Sequence, residues 1–210
     1  MKKSDETPLV RLVDDDRTVL DALSVFLQMA DISVRTFCSA EAFLREDDHS
    51  VPGCAVLDVR MPDMNGIELQ AEMKRRGIRL PIIFLSAHGD IEMAAEAVRA
   101  GAKNFLVKPP KPEKLLALIG EANFESLTAA RERAYGASLE MQWDTLTPAE
   151  KQTALMVAKG LTNAVIAEAL GVADRTVRAH REAVYGKLDV ENAVELADFV
   201  RERAAYGGGS

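Results

Sequence analysis

Short apolar runs alternate with helical patterns over the first half of the chain. Runs rich in Val, Ile, Leu and Phe predict five strands there. These predicted strands are 9–13, 32–37, 54–58, 81–86 and 103–108. Between them, apolar residues spaced three and four apart predict helices, and Gly77 and Gly101 are placed to end the helices 67–76 and 91–100. Regular alternation of this kind is typical of an α/β fold with a doubly wound, mostly parallel five-stranded sheet.

The second half of the chain carries helical patterns only. Residues 123–144 combine good helix formers with a thin apolar stripe and Gly136, which predicts a helical linker that frays into a loop. Four helices are predicted after it, and the Thr147-Pro148 start is a strong N-terminal signal. The predicted helices are Thr147 to Gly160, 162–170, 174–188 with Asp174 as its cap, and 191–204. We expect domains at 1–122 and 145–206, a linker at 123–144 and a flexible tail at 207–210.

Composition narrows the class of protein. The chain has 210 residues, of which 48% are hydrophobic and 28% charged, which suits two small domains with real cores. No apolar run approaches the roughly 18 residues of a membrane span, and the N-terminus is not a secretion signal, so we expect a cytoplasmic protein. The net charge of −7 argues against a general nucleic-acid coat protein but permits a local basic face.

The two cysteines predict no disulfide framework. Cys38 and Cys54 fall on predicted strands that a third strand separates, which places them about 9–10 Å apart. A disulfide needs Cα atoms within about 7 Å. We therefore expect both thiols to be free, and we expect both side chains to be buried.

Five polar residues stand where the predicted strands end, namely Asp14, Asp15, Asp58, Ser86 and Lys108. In a parallel sheet of order 2-1-3-4-5 the carboxyl ends of the strands share one edge, where ligands bind. Three carboxylates beside an ammonium group suit a divalent cation such as Mg²⁺ and transfer of a phosphoryl group to a carboxylate. For any one aspartate, a solvated helix cap is an equally good interpretation. A nucleotide site is disfavoured, because the turn DDDRT lacks phosphate-binding glycines.

Four motifs of this half, VDDD, LDVRMPDMNG, LSAHGD and AGAKNFLVKP, resemble the receiver domain of bacterial two-component response regulators over residues 9–121. The resemblance implies a flavodoxin-like fold with Asp58 as phospho-acceptor. It places Asp14, Asp15, Asp58 and the backbone carbonyl of Arg60 around Mg²⁺.

The same resemblance implies a switch beside the acceptor. Ser86 and Lys108 would contact the phosphoryl group, and Phe105 would rotate inward on activation. Lys108-Pro109 stands where the family has a cis peptide bond. His88, two residues after Ser86, is expected to be a solvated loop residue at the mouth of the site.

The predicted helix 174–188 carries a second pattern. Val177, Val184 and Leu188 fall within an arc of about 40°, which predicts a buried stripe. Between 175 and 187 there are four basic residues and one acidic residue, whereas 145–206 as a whole has 8 basic and 9 acidic residues. Basic charge concentrated on one helix is typical of a DNA recognition helix, although a solvated charged face would look the same.

The segment from LTPAE to GKL resembles a LuxR-type helix-turn-helix, through LTPxE, KGLTNxxIAxxLG and RTVRxHR. The chain is thereby identified as similar to response regulators of the FixJ/NarL family. The residues that this resemblance places at DNA are Arg175, Thr176, Arg178, His180, Arg181 and Lys187.

The resemblance as a whole implies a transcription regulator rather than an enzyme. A sensor histidine kinase would phosphorylate Asp58, and phosphorylation would switch homodimerisation and sequence-specific binding to promoter DNA. RNA polymerase is a further candidate partner, and no membrane is involved. The alternative is a phosphorylation-dependent interaction module whose acidic helical domain binds a protein rather than DNA.

Overall fold

The computed structural model describes residues 7–87 and 101–207. The predicted helix 91–100 and His88 lie outside the described residues. The chain divides into two compact units, Met1–Ala130 and Arg131–Ser210. None of the helices in the described part is long and apolar enough to cross a membrane.

The first unit is built on a five-stranded parallel sheet. Its strands are β1 Leu9–Val13, β2 Ser33–Phe37, β3 Gly53–Asp58, β4 Ile82–Ser86 and β5 Asn104–Val107. Their order in the sheet is β2-β1-β3-β4-β5, and every neighbouring pair is parallel. The predicted fold class and strand order are confirmed. Because β1 and β3 are neighbours, the residues that follow both strands lie side by side at the carboxyl edge.

Capped helices connect the strands, and they are α1 Arg17–Gln28, α2 Ala40–Glu46 and α3 Gly66–Arg75. Asp16 caps α1 by accepting a hydrogen bond from the amide of Thr18. Asn65 caps α3 in a reciprocal capping box with Glu68. The turn after α3 uses Gly77 at φ 72°, as its position in the sequence predicts.

The sheet lies between two apolar layers. Alternate residues of β1 and β3 point to opposite faces: Leu12 and Val56 belong to one buried cluster, Val13 and Leu57 to the other. A sheet covered on both faces explains why its strands read as continuous apolar runs.

The interior strand β1 also buries a charge. Arg11 is inaccessible to solvent, and its Nε lies 3.0 Å from Oδ2 of Asp47, which is buried as well. Its remaining nitrogens donate to backbone carbonyls, among them that of Val51 at 2.9 Å. Every arm of the guanidinium is thus satisfied, which makes its burial tolerable.

The expectation that both cysteine side chains are buried is wrong for Cys38. Cys54 is buried in β3, and burial raises the pKa of its thiol to about 12. Cys38, however, is exposed. It follows the last residue of β2, an edge strand, and therefore has neighbours on fewer sides than Cys54 has.

The predicted fraying of the linker is also wrong. Helix α4 runs without interruption over Pro112–Asp144, through Gly136. Gly136 is buried, and a Cβ atom there would stand 2.4 Å from the carbonyl oxygen of Tyr206. Leu139 and Trp143, further along α4, pack in the core of the second unit. The close approach that only glycine permits therefore outweighs the intrinsic cost of glycine in a helix.

The remaining helices form the second unit: α5 Pro148–Ala158, α6 Asn163–Leu170, α7 Asp174–Leu188 and α8 Ala193–Tyr206. The capping box at Thr147 is confirmed. Two predicted starts are wrong by a residue or two: Asp174 is the first residue of α7 rather than its cap, and α8 begins after Asn192, whose side chain caps it. Asn192 is the N-cap of α8 because its carboxamide oxygen can accept hydrogen bonds from two backbone amides of the first turn.

Candidate functional site

Three carboxylates meet at the carboxyl edge of the sheet. Asp14 directly follows β1, and Asp58 is the last residue of β3. One ligand oxygen from each of Asp14, Asp15 and Asp58 lies within 4.8 Å of the others. Asp14 and Asp58 are buried, with 4% and 6% of their surface exposed, whereas Asp15 is open to solvent. The doubly wound topology thus assembles the predicted acidic cluster.

Backbone amides fix the direction of the two buried carboxylates. The amide of Asp16 donates to Oδ1 of Asp14 at 3.0 Å, and the amide of Arg60 donates to Oδ2 of Asp58 at 2.9 Å. Each carboxylate therefore keeps its other oxygen for a different partner. Arg60, whose carbonyl the resemblance places at the metal, thus lies in the turn directly after Asp58.

Lys108 supplies that other partner to both carboxylates. Its Nζ lies 2.5 Å from Oδ2 of Asp14 and 2.7 Å from Oδ1 of Asp58. The Lys108-Pro109 peptide bond is cis, and the Lys108 amide donates to the carbonyl oxygen of Ser86 at 2.7 Å. Burial opposes the charged form of Lys108, but the hydrogen bonds to Asp14 and Asp58 outweigh it and raise its pKa.

The electrostatics of the site leave it short of positive charge. Burial raises the pKa of the Asp58 carboxyl; hydrogen bonding to Lys108 opposes this rise, and the nearby charge of Asp14 adds to it. Three carboxylates face one ammonium group. Hard oxygen ligands at this separation suit Mg²⁺, whose two charges would balance the remainder. The residues present therefore fit the ion.

Ser86 and Phe105 occupy different levels of the sheet. Ser86 is the last residue of β4, is buried, and stands at the same edge as Asp58. Phe105 lies deeper, in the middle of β5, where its ring is half-buried with its centroid 6.5 Å from that of Phe84. The structure thus brings the five polar residues together and sets the aromatic residue on the adjoining strand.

A groove beside Lys108 was not predicted from the sequence. It has a volume of about 430 Å³ and runs between α1 and the segment after β5. Residues along its walls are Val19, Ala22, Leu23, Leu85, Pro109 and Pro110. The available signal was Ala22, Val25 and Met29, small or apolar residues that continue along α1 outside its core stripe.

Helix α7 divides its polar residues between two sides. Val177, Val184 and Leu188 are buried, which confirms the predicted stripe. Arg175 and Arg178 are exposed, and Arg178 makes a one-turn ion pair with Asp174 on the same helix. Thr176 is partly buried, in the first turn.

The other three predicted DNA contacts have partners on their own domain. Those residues are His180, Arg181 and Lys187. Nδ1 of His180 lies 3.4 Å from Oγ1 of Thr153 in α5, and Nη1 of Arg181 donates to Oδ1 of Asn163 in α6 at 2.7 Å. Nζ of Lys187 lies 2.7 Å from Oε2 of Glu150 in α5. The six predicted contacts therefore do not share one free surface.

Two family models match the chain. The one described as "Response regulator receiver domain" matches residues 10–120, and the one described as "Bacterial regulatory proteins, luxR family" matches residues 144–200. A receiver-type sheet with an acidic pocket, followed by a LuxR-type helix-turn-helix, defines the class of transcriptional response regulators. The chain belongs to this family, as a receiver joined to a LuxR-type DNA-binding domain.

Individual relatives span nearly the whole chain. The response regulator protein TodT of Pseudomonas putida is 38% identical over 92% of this chain and 85% of its own length. The transcriptional regulatory protein FixJ of Bradyrhizobium diazoefficiens is 34% identical over 89% of this chain and 91% of its own length. The solved structure of the response regulator StyR matches with a TM-score of 0.88 and 38% identity, covering 93% of this chain and 99% of that one.

Proposed function

We propose that a histidine kinase phosphorylates Asp58 and that this modification controls sequence-specific DNA binding by the second unit. The observation that carries the proposal is the convergence of Asp14, Asp15, Asp58 and Lys108 in one pocket on a chain that also bears a helix-turn-helix. Within this scheme residues 1–122 act as the receiver and 145–206 as the DNA-binding domain, joined through 123–144.

The acceptor step follows from the orientation of Asp58. A carboxylate oxygen of Asp58 attacks the phosphorus of a phosphohistidine; the new O–P bond forms as the P–N bond breaks, and the imidazole leaves with the electron pair and takes a proton from water. The amide of Arg60 holds Asp58 in place, and Lys108 neutralises charge on the transferred oxygens. Mg²⁺, held by Asp14, Asp15, Asp58 and the Arg60 carbonyl, would supply further neutralisation of those oxygens when bound.

Phosphorylation would change the structure at the end of β4 and on β5. The buried hydroxyl of Ser86 is placed at the acceptor's edge, where it can donate to a phosphoryl oxygen. Movement of Ser86 toward that oxygen would free space for Phe105, which already packs near Phe84, to turn further inward. A changed surface on β5 would then promote homodimerisation. Two copies of α7 would read related half-sites.

The groove beside Lys108 suits the incoming kinase. A phosphoryl donor has to approach Asp58 from the carboxyl edge, and this groove opens there between α1 and Pro109. On the same helix Val25 is 57% exposed, and Met29, directly after the helix, is 83% exposed, which extends the apolar surface. Exposed apolar surface next to a reactive group is typical of a protein-binding face. Ala22→Glu should abolish phosphorylation in the native host but leave phosphorylation by acetyl phosphate intact.

DNA is the better-supported partner of the second unit. The match of residues 144–200 to the LuxR family favours DNA over a protein as its ligand. Arg175 and Arg178, exposed in the first half of α7, are the side chains best placed to enter a major groove, with Thr176 beside them. Contact with RNA polymerase at the promoter completes the proposal.

The test uses the full chain and DNA selected from a random-sequence duplex library on protein treated with acetyl phosphate and Mg²⁺. We expect a defined sequence to emerge, tighter binding after phosphorylation, and no such gain in Asp58→Asn. Arg178→Ala should weaken binding about tenfold, which is the loss of affinity expected when one good base contact is removed. Arg201→Ala is the matched control, because Arg201 on α8 is equally exposed and also makes a one-turn ion pair. Failure of any sequence to emerge in either state would rule out the DNA-binding function.

A further inference from the structure

The last turn of α7 is joined to the first turn of α5 through Lys187. Its Nζ lies 2.7 Å from Oε2 of Glu150, a residue only 7% exposed. The same carboxylate accepts the amide of Thr147 at 2.7 Å in the capping box of α5. Lys187 therefore completes the partners of a buried carboxylate that already holds the start of another helix.

This engagement makes Lys187 a poor candidate for a phosphate contact. The hydrogen bond from Lys187, followed by that from the Thr147 amide, lowers the pKa of Glu150, so its carboxylate stays ionised at neutral pH. If Lys187 turned away to a DNA phosphate, a buried negative charge would lose its cationic partner. Leaving a buried charge uncompensated is expensive, and one phosphate contact at the surface does not offset it.

Arg181 makes a second connection of the same kind. Its Nη1 donates to Oδ1 of Asn163, the first residue of α6, and its Nη2 donates to the hydroxyl of Tyr185, both at 2.7 Å. Helix α7 is thus tied to the start of α5 near its C-terminal end and to the start of α6 near its middle. Two ties at different heights fix both the tilt and the rotation of a helix.

We infer that Lys187 is a positioning residue, which holds the recognition helix at its reading angle through Glu150 and does not contact DNA itself. The inference rests on the DNA-binding function proposed above. The Arg181–Asn163 bond supports the same orientation. Base reading is then left to the side of α7 where the exposed residues Arg175, Arg178, Ala179 and Glu182 stand. Lys187 lies on another side of the helix, where its side chain is 37% exposed and is held by Glu150.

The experiment measures binding to the selected duplex and to a random-sequence duplex over a range of salt concentrations. Lys187→Met removes the tie, Lys187→Arg preserves it, and Glu150→Gln removes its charge while keeping a residue type that forms the same capping box. Lys151→Met is the matched control, because Nζ of Lys151 pairs at 2.8 Å with Asp144, an exposed carboxylate at the end of α4 rather than a buried one. Thermal unfolding of each variant verifies that the domain is folded.

A positioning role predicts that Lys187→Met and Glu150→Gln each weaken specific binding about threefold to tenfold and non-specific binding hardly at all. The double variant should bind the selected duplex no more weakly than the weaker-binding of the two single variants. Lys187→Arg should bind it like the wild type. The slope of log affinity against log salt should be the same in all of these proteins. A phosphate contact predicts a slope smaller by about 0.9 in Lys187→Met, equal losses on both duplexes and no effect of Glu150→Gln. That pattern overturns the inference while leaving DNA binding intact, whereas a wild-type protein that selects no sequence overturns the proposed function and the inference with it.

A readout without DNA gives an independent check. Carboxyl carbon NMR should place the pKa of Glu150 below its usual range in the wild type and closer to that range in Lys187→Met. If Lys187→Met does not unfold the domain and leaves the Glu150 titration unchanged, the tie does not exist in solution and the inference is wrong.

Discussion

The ammonium group of Lys108 lies 2.7 Å from Oδ1 of Asp58, across the carboxyl edge of the sheet. This pair fixes one oxygen of the Asp58 carboxylate, and the three clustered carboxylates still leave an excess of negative charge around the buried Asp14 and Asp58. The site is therefore built at a cost to stability, which a divalent cation or a chemical change at Asp58 can relieve.

Asp58→Asn should stabilise the protein at neutral pH. Burial raises the folded-state pKa of Asp58 above its unfolded value. The contribution of this shift to the stability of the protein is fully present below the unfolded pKa and is lost as the pH rises through the folded pKa. Above the folded-state pKa the carboxylate is ionised and the full cost is present. We expect the free energy of unfolding to rise by roughly 1 kcal/mol, measured by urea denaturation without divalent cations.

The gain should shrink as the pH falls through the folded-state pKa of Asp58, where wild type and variant become alike. Asp48→Asn is a control of opposite sign, because the hydroxyl and amide of Ser50 lower the pKa of Asp48 and its charge is favourable. An Asp58→Asn protein less stable than wild type at pH 7 would contradict this account of the pocket's electrostatics.

Mg²⁺ should raise the melting temperature through the same three carboxylates. An ion that binds only the folded state, at one hundred times its Kd, adds about 2.7 kcal/mol to stability. Asp15→Asn should reduce that gain, because one of the three ligand oxygens loses its charge. Scanning calorimetry with MgCl₂, at constant ionic strength, measures the effect.

Asp31→Asn is the matched control for that experiment. Asp31 follows the C-terminal end of α1, and this end of the helix lies at the edge of the sheet opposite the three carboxylates. The φ of Asp31 is 57°, a conformation that asparagine tolerates. Equal Mg²⁺-dependent stabilisation in Asp15→Asn and Asp31→Asn would mean that the ion binds elsewhere.

Two glycines of α4 should respond to alanine in opposite directions. At Gly136 a Cβ would meet the carbonyl of Tyr206 at 2.4 Å, whereas at Gly120 it would meet nothing within 4 Å. Gly136→Ala should therefore lower stability by about 1–3 kcal/mol through overpacking, and Gly120→Ala should raise it by about 0.5–1 kcal/mol. Chemical denaturation of both full-length variants provides the comparison, and similar effects at both positions would refute the contact with Tyr206.

The strand pattern and the polar residues at strand ends were enough to predict the sheet and its acidic pocket. A parallel order brings the carboxyl ends of β1 and β3 to one edge of the sheet, which leaves few places for Asp14 and Asp58 to go. Local patterns could not predict Gly136, because its helical conformation depends on a neighbour 70 positions away. Arg11 is a similar case: it reads as a solvent-facing break in an apolar strand, and only Asp47 explains its burial.

The recognition helix shows the same limit. The resemblance of α7 to a LuxR-type recognition helix predicted six DNA contacts, but neither the motif nor the charge of the helix distinguishes Arg178, which is exposed, from Lys187, which a buried carboxylate on α5 already holds. The partner that decides the role of each basic residue lies on another helix. Periodicity within one helix carries no information about it.

The most direct test of the account is intact-protein mass spectrometry after treatment with acetyl phosphate and Mg²⁺. The wild type should gain the mass of one phosphoryl group, Asp31→Asn should gain it equally, and Asp58→Asn should gain none. Peptide mapping after borohydride reduction should place the modification of the wild type on Asp58. A phosphoryl group that persists at wild-type level in Asp58→Asn would show that the acceptor is another residue.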